Sequence, residues 1–215
     1  MHDRRLGDTV LTLGNQGALF MRAMTWWDHE TGSIWSQPWG AAIEGELAGT
    51  RLDLIPVGIE PFGSWVARHP ETQVLVVDSD ARIGVYESTG GTDFFVIGVT
   101  LDEHASAYGY PDVAAAGVVN DRVGDRPIAV FADAETREIN VYLATPPGRD
   151  EALKFATSAD SFFDAGTGSE WDPFSGEAIA GPLKGTRLTR LAWVSSFDWA
   201  CEDFYPHSRF YESPS

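Results

Sequence analysis

The sequence predicts a β-rich α+β fold, in which two internally duplicated units pack together with pseudo-twofold character. The first observation is a repeat: residues 28–52 and 164–188 align without a gap at an offset of 136 positions and share 14 of 25 residues. The second is a series of short apolar stretches separated by turn residues, which is typical of strands. The third is a pair of short predicted helices that stop before Pro70 and Pro206, again 136 positions apart. Two copies at so long a period indicate a duplicated unit of domain size.

Each copy of the repeat begins with the same turn, from Asp28 to Gly32 and from Asp164 to Gly168. The Asp carboxylate can accept hydrogen bonds from the turn backbone, and Gly can take positive φ. These residues are therefore expected to be structural and not catalytic. Strands are expected on both sides of each turn: Met24–Trp27 with Ser33–Gln37, and Ser161–Phe163 with Ser169–Asp172.

Two further pairs of identical residues are interpreted as structural. Trp35 and Trp171 are expected to be buried at equivalent places in the two copies. Arg51 and Arg187, in the repeated GTRL, are expected to form an ion pair with an acidic group of the same copy, for example Asp28 or Asp164, since an unpaired buried arginine is costly.

The remaining elements follow from apolar runs and from helix-breaking residues. Helices are predicted from Ser64 to Pro70, from Ser196 to Pro206, and over Asp112–Ala116 between a proline and a glycine. Further strands are predicted at Val74–Val77, Arg82–Tyr86, Phe94–Leu101, Ile128–Phe131 and Ile139–Leu143. No linker divides the chain, so we expect one compact body with a first unit at 1–77, a connection at 78–93 and a second unit at 94–215.

The composition excludes several functions. A net charge of −17 leaves no basic face for nucleic acid. The apolar runs are too short for membrane insertion, and the first residues do not form a secretory signal, although the compartment stays open. Cys201 is the single cysteine, and five histidines lack ligand spacing, so neither a metal nor a cofactor is predicted. The acidic excess with only two lysines fits salt adaptation or a GC-rich genome.

Long strings of the sequence carry a resemblance to a known family. They are DRRLGDTVLTLGNQGALF, MTWWDHETGSIWSQPWGAAIEGELAGTRLDLIP, HPETQVL, GVVNDRVGDRPIAVF and WDPFSGEAIAGPLKGTRL. Over nearly the whole chain they resemble the prokaryotic "domain of unknown function 3179" family. The resemblance implies an internally duplicated protein without an established activity. The family's usual Cys-Pro-x-Cys segment would lie upstream of Asp3, so the first repeat is interpreted as incomplete, and a metal or thiol role in full-length relatives does not transfer.

Comparing the two copies separates residues of the fold from candidates for function. Polar and tryptophan side chains present in one copy only are the better candidates for a small-molecule site. In the first unit these are Asn15, Gln16, Trp27, His29, Gln37 and Trp39. A hairpin with an exposed polar tip and half-buried tryptophans is the alternative interpretation.

Two classes of function remain open from the sequence. The first is a non-catalytic binding or structural module that uses the tryptophan-rich hairpin. The second is an enzyme, or the remnant of one, with a site between the units in which His29 acts with carboxylates as acid and base.

Overall fold

The computed structural model describes residues 1–74, 95–158 and 161–213. Within these ranges the chain forms many short strands and three short helices, which confirms the predicted β-rich α+β class. No helix in the described ranges is long and apolar enough to span a membrane.

The N-terminal part begins with a small hairpin of β1 (Arg5–Leu6) and β2 (Thr9–Val10). A four-stranded antiparallel sheet follows in the order β3-β4-β5-β6. Its strands are β3 (Leu13–Phe20), β4 (Ala23–Asp28), β5 (Ile34–Ser36) and β6 (Ala41–Glu44). Helix α1 (Phe62–Arg68) ends this part.

The middle of the chain contains the largest core. Its elements are β7 (Phe95–Leu101), β8 (His104–Gly109), α2 (Tyr110–Ala116), β9 (Val118–Val123), β10 (Arg126–Ala132) and β11 (Ile139–Leu143). Strands β9 to β11 form a sheet in the order β11-β10-β9. The core of these elements centres on fully buried side chains such as Val99, Tyr108, Ile128 and Trp193.

The C-terminal part repeats the order of the N-terminal part. A second four-stranded sheet has the order β12-β13-β14-β15. Its strands are β12 (Phe155–Ser158), β13 (Ser161–Asp164), β14 (Glu170–Asp172) and β15 (Glu177–Ala180). Strand β16 (Val194–Phe197), helix α3 (Asp198–Phe204) and strand β17 (Arg209–Phe210) follow, and β16 and β17 join β7 and β8 in the order β16-β7-β8-β17.

Most of the predicted elements are present, with shifted ends. The two predicted hairpins are β4–β5 and β13–β14, and their turns lie where the sequence places them. Helix α3 begins later than predicted because Ser196 pairs with Val96 in the β16–β7 ladder. The predicted strand Arg82–Tyr86, most of Val74–Val77 and the connection at 78–93 lie outside the described residues.

Residues 136 apart make the same backbone hydrogen bonds in the two repeat segments. Leu52 N donates to Gly40 O and Leu188 N donates to Gly176 O, both at 2.8 Å. Helices α1 and α3 also begin and end 136 residues apart. Trp193 Nε1 donates to Val57 O at 2.8 Å, and these two residues occupy equivalent positions.

The repeated tryptophans are buried beside the repeated aspartates. Trp35 and Trp171 are 0% and 2% exposed, as the sequence predicts. Trp35 Nε1 donates to Asp28 Oδ2 at 2.8 Å, and Trp171 Nε1 donates to Asp164 Oδ2 at 3.1 Å. Each aspartate also accepts from the backbone N–H three residues later, at 2.6 Å in both copies. The Asp–Trp contact therefore ties each turn to the neighbouring strand.

Arg187 forms the predicted ion pair with an acidic group of its own copy, but Asp164, the partner given as an example, is wrong. Arg187 forms its ion pair with Glu177, at 2.5 Å, and not with Asp164. The two residues face each other across an isolated β-bridge, and in the first copy the corresponding bridge joins Arg51 to Ala41, which offers no carboxylate. Asp28 and Asp164 are fully buried and already accept hydrogen bonds from neutral donors, so they have no need of a cation.

Salt is expected to leave the thermal unfolding midpoint unchanged or to raise it. The net charge of −17 repels itself in the folded state, and added salt screens that repulsion. Little attraction is lost in exchange, because every ion pair in the described ranges uses a guanidinium that is 39–72% exposed. Calorimetry in dilute and in molar potassium chloride measures this. A lower midpoint in molar salt would contradict the prediction and the interpretation of the sequence as salt-adapted.

Candidate functional site

The six side chains expected to form a site are distributed over four places. Asn15 and Gln16 lie in an irregular stretch of β3, where both are exposed. Asn15 Oδ1 accepts from Gly17 N at 2.8 Å, and Gln16 Oε1 accepts from Ala18 N at 2.9 Å and from Thr25 Oγ1 at 3.0 Å. These amides therefore hold the strand irregularity.

Trp27 and His29 form a second group at the C-terminal end of β4. Their rings stack at a centroid separation of 4.2 Å and an interplanar angle of 13°, and His29 is exposed. Gln37 lies near the opposite end of β4, where its N–H donates to Met24 O at 3.3 Å. His29 lies five positions after Met24, and the rise of an extended strand over five positions is roughly 17 Å. The structure thus does not bring His29 and Gln37 together.

Trp39 packs against the C-terminal helix. Its Nε1 donates to Phe204 O at 2.6 Å, and its ring meets those of Phe204 and Phe20 at 5.3 and 5.8 Å. The C-terminal carbonyls of a helix need donors from outside the helix. Trp39 therefore holds the end of α3 against the first sheet.

A cavity of about 760 Å³ lies between the first four-stranded sheet and the segment formed by β16 and α3. One wall comes from the N-terminal part: Met1, His2, Leu13, Arg22, Ala23, Trp26, Gln37, Pro38, Val57 and Ile59. The other wall comes from the C-terminal part: Trp193, Val194, Ser195, Ser196, Phe197, Trp199, Ala200, Cys201 and Tyr205. Of the six expected residues, Gln37 lines this cavity.

The long β3–β4 hairpin brings the first wall against α3. The corresponding hairpin of the second sheet is shorter by several residues. At the tip of the long hairpin, the ring centroids of Phe20 and Phe204 lie 6.3 Å apart, and the Arg22 guanidinium pairs with Asp203. Arg22 also lies 4.5 Å above the ring centroid of Trp199. The greater length of the first hairpin therefore allows its tip to contact this helix.

Arg22 is the charged side chain of the cavity, and the α-amino group of Met1, whose pKa is lowered by burial, lies at the same wall. His2 Nε2 donates to Gln37 O at 3.0 Å, and burial lowers the pKa of His2 despite that hydrogen bond, which favours the neutral ring. Tyr205 donates to Pro38 O at 3.3 Å, and burial raises the pKa of its hydroxyl. Burial also raises the pKa of the Cys201 thiol, which makes it a weak nucleophile.

The sequence contained a signal for the second wall. Trp193, Phe197, Trp199 and Tyr205 correspond, 136 positions earlier, to Val57, Pro61, Gly63 and His69. They are therefore aromatic residues present in one copy only. Side chains present in one copy only were the candidates in the first unit, and these aromatic residues of the second unit share that property. The described residues include no cluster of His, Cys, Asp or Glu able to hold a metal ion.

The fold and the cavity define a β-rich α+β protein in which the first four-stranded sheet and the β16–α3 segment line an apolar, tryptophan-containing cavity. Comparison with protein families gives a match at residues 1–89 and 91–208 to the family described as "Protein of unknown function (DUF3179)". The chain belongs to this family. No curated protein and no solved structure matches it.

Proposed function

We propose that this protein is a non-catalytic binding module that takes up a small, mainly apolar ligand in the cavity between the first sheet and α3. The observation that carries the proposal is the cavity itself. Its volume of about 760 Å³ lies within the range of ~300–1,000 Å³ that is typical of small-molecule sites.

The chemistry of the walls supports a ligand with an aromatic or aliphatic body. Trp26, Phe197 and Trp199 supply apolar faces, which contribute most of the binding free energy in such sites. Hydrogen-bonding groups such as Gln37 can orient the ligand. This arrangement, a mostly apolar surface with a few polar groups, is the usual pattern of a ligand site.

An enzymatic role has less support from the same residues. The Cys201 thiol has a raised pKa, and the described residues offer no metal-binding cluster. His29, the acid–base candidate from the sequence, is stacked on Trp27 away from the cavity. The binding function is therefore the one that the geometry supports best.

Binding of a neutral apolar probe tests the proposal. N-Phenyl-1-naphthylamine fluoresces when it enters an apolar site, and we expect saturable binding to the protein. Replacing Phe197, which is 44% exposed and lines the cavity, by Ala is expected to weaken that binding on the order of tenfold, because loss of one aromatic face costs ~1.4 kcal/mol.

Phe210→Ala is the matched control. Phe210 is 37% exposed and lies in β17, outside the lining of the cavity. Its replacement removes the same atoms from the surface and is expected to leave the affinity unchanged. Absence of saturable binding, or equal loss in both variants, would contradict the proposal.

A further inference from the structure

We propose that the ligand of this cavity carries one anionic group, a carboxylate or a sulfonate, which pairs with Arg22 at the cavity edge. The inference rests on the binding function proposed above and specifies the class of ligand.

The cavity is free of carboxylates in a protein that is otherwise strongly acidic. The chain has 32 Asp and Glu residues against 15 Lys and Arg. Among the described residues that line the cavity, none is Asp or Glu, and the charged side chain is that of Arg22. A cationic ligand would find no counter-ion there, whereas an anionic group would find a guanidinium.

The geometry of Arg22 leaves part of its guanidinium available. Its Nε and Nη2 both donate to the same oxygen of Asp203, Oδ2. Nη1 makes no hydrogen bond to any residue of the described ranges. Arginine has five N–H donors in a planar fork, so a second anion can bind without displacing Asp203. The Trp199 ring lies beneath the guanidinium carbon at a distance suited to a cation–π interaction.

The backbone at this position is strained. Met21 and Arg22 have φ values of 48° and 68°, in the left-handed region that Gly and Asn adopt at lower cost. A hairpin of this kind is usually closed by Asn-Gly or a similar pair. Non-Gly residues in such conformations concentrate at ligand sites. The strain is consistent with a requirement for the arginine side chain at this turn.

The protein's overall charge does not prevent this binding at physiological ionic strength. Charges more than ~8 Å apart are largely screened there, so the distant carboxylates contribute little. Asp203 is closer, and its negative charge repels a second anion at the same guanidinium. Its removal is therefore expected to strengthen the attraction of Arg22 for a ligand anion.

Two probes of similar shape separate the charge from the apolar body. 1-Anilinonaphthalene-8-sulfonate carries a sulfonate, and N-phenyl-1-naphthylamine lacks it. We expect Arg22→Gln to weaken sulfonate binding about tenfold, the usual value of a charge-assisted hydrogen bond, and Asp203→Asn to strengthen it several-fold. Arg22→Lys should restore most of the affinity. The neutral probe should respond to Arg22→Gln and to Asp203→Asn to the same extent, because both changes remove the same ion pair.

Arg22→Gln and Asp203→Asn break the same ion pair. If that pair were only structural, both variants would change the affinity for the sulfonate in the same direction, whereas pairing of Arg22 with the ligand predicts opposite directions. Met21→Asn is the control for backbone strain, since it relaxes the neighbouring position and keeps the charge. It should leave the affinity for both probes unchanged. Equal weakening in Arg22→Gln and Asp203→Asn, or the same ratio of affinities for the two probes in every variant, would overturn the inference. Binding of neither probe would instead overturn the proposed function.

Discussion

Replacing Trp171 by Ala is expected to lower the free energy of unfolding by about 3–5 kcal/mol, the usual cost of deleting a large buried aromatic side chain. Trp171 is 2% exposed and packs against Phe155 at a ring separation of 5.6 Å. The substitution also leaves the buried Asp164 carboxylate without its indole donor. Trp35→Ala should have a comparable effect, since Trp35 makes the same contact with Asp28. Urea unfolding followed by circular dichroism measures both.

Phenylalanine at the same positions separates the packing contribution from the hydrogen bond. Trp171→Phe keeps most of the ring volume and removes the N–H, so we expect a loss of ~1–3 kcal/mol, the cost of an unsatisfied buried acceptor. If Trp171→Ala and Trp171→Phe destabilise the protein equally, the hydrogen bond and not the packing is the main contribution. An unaltered midpoint for Trp171→Ala would show that the Asp–Trp contact does not support the second sheet.

Acid is expected to destabilise the protein through the two buried aspartates. Burial alone would raise the pKa of Asp28, but hydrogen bonds from Trp35 and Thr31 outweigh it and hold the pKa below its usual value. The same balance, with Thr167 and Trp171 as donors, lowers the pKa of Asp164. A carboxyl whose folded pKa is depressed contributes stability above its unfolded pKa, and that stability is lost as the pH falls through the folded value. The free energy of unfolding should therefore decrease below about pH 4.

Asparagine variants measure how much of this acid dependence the two aspartates carry. Asp28→Asn and Asp164→Asn keep an acceptor oxygen and cannot titrate there. Each is expected to be less stable at pH 7 and to show a shallower decrease of stability between about pH 5 and pH 2. Asp150→Asn, at an exposed loop position, is the control and should keep the full dependence. An unchanged slope in Asp28→Asn and Asp164→Asn would contradict the prediction.

The sequence alone determined the local structure of the two repeat segments. Asp28, Gly32 and Trp35, and their equivalents 136 residues later, form contacts within one hairpin and its next strand. Such contacts depend on residue types at fixed short spacings, so an ungapped repeat is enough to predict them. The family was also readable from the sequence, because long continuous strings carry it.

Only the tertiary structure decided where the cavity lies. His29 and Gln37 do not lie together as predicted. Gln37 pairs with Met24, and five steps of extended strand separate Met24 from His29. The cavity instead joins Trp26 and Gln37 to Trp193 and Trp199, which are more than 150 positions away along the chain. Their proximity results from the packing of the long β3–β4 hairpin on α3 through Phe20, Trp39 and Arg22. Packing between distant segments depends on the three-dimensional arrangement of whole elements, which local spacing in the sequence does not determine.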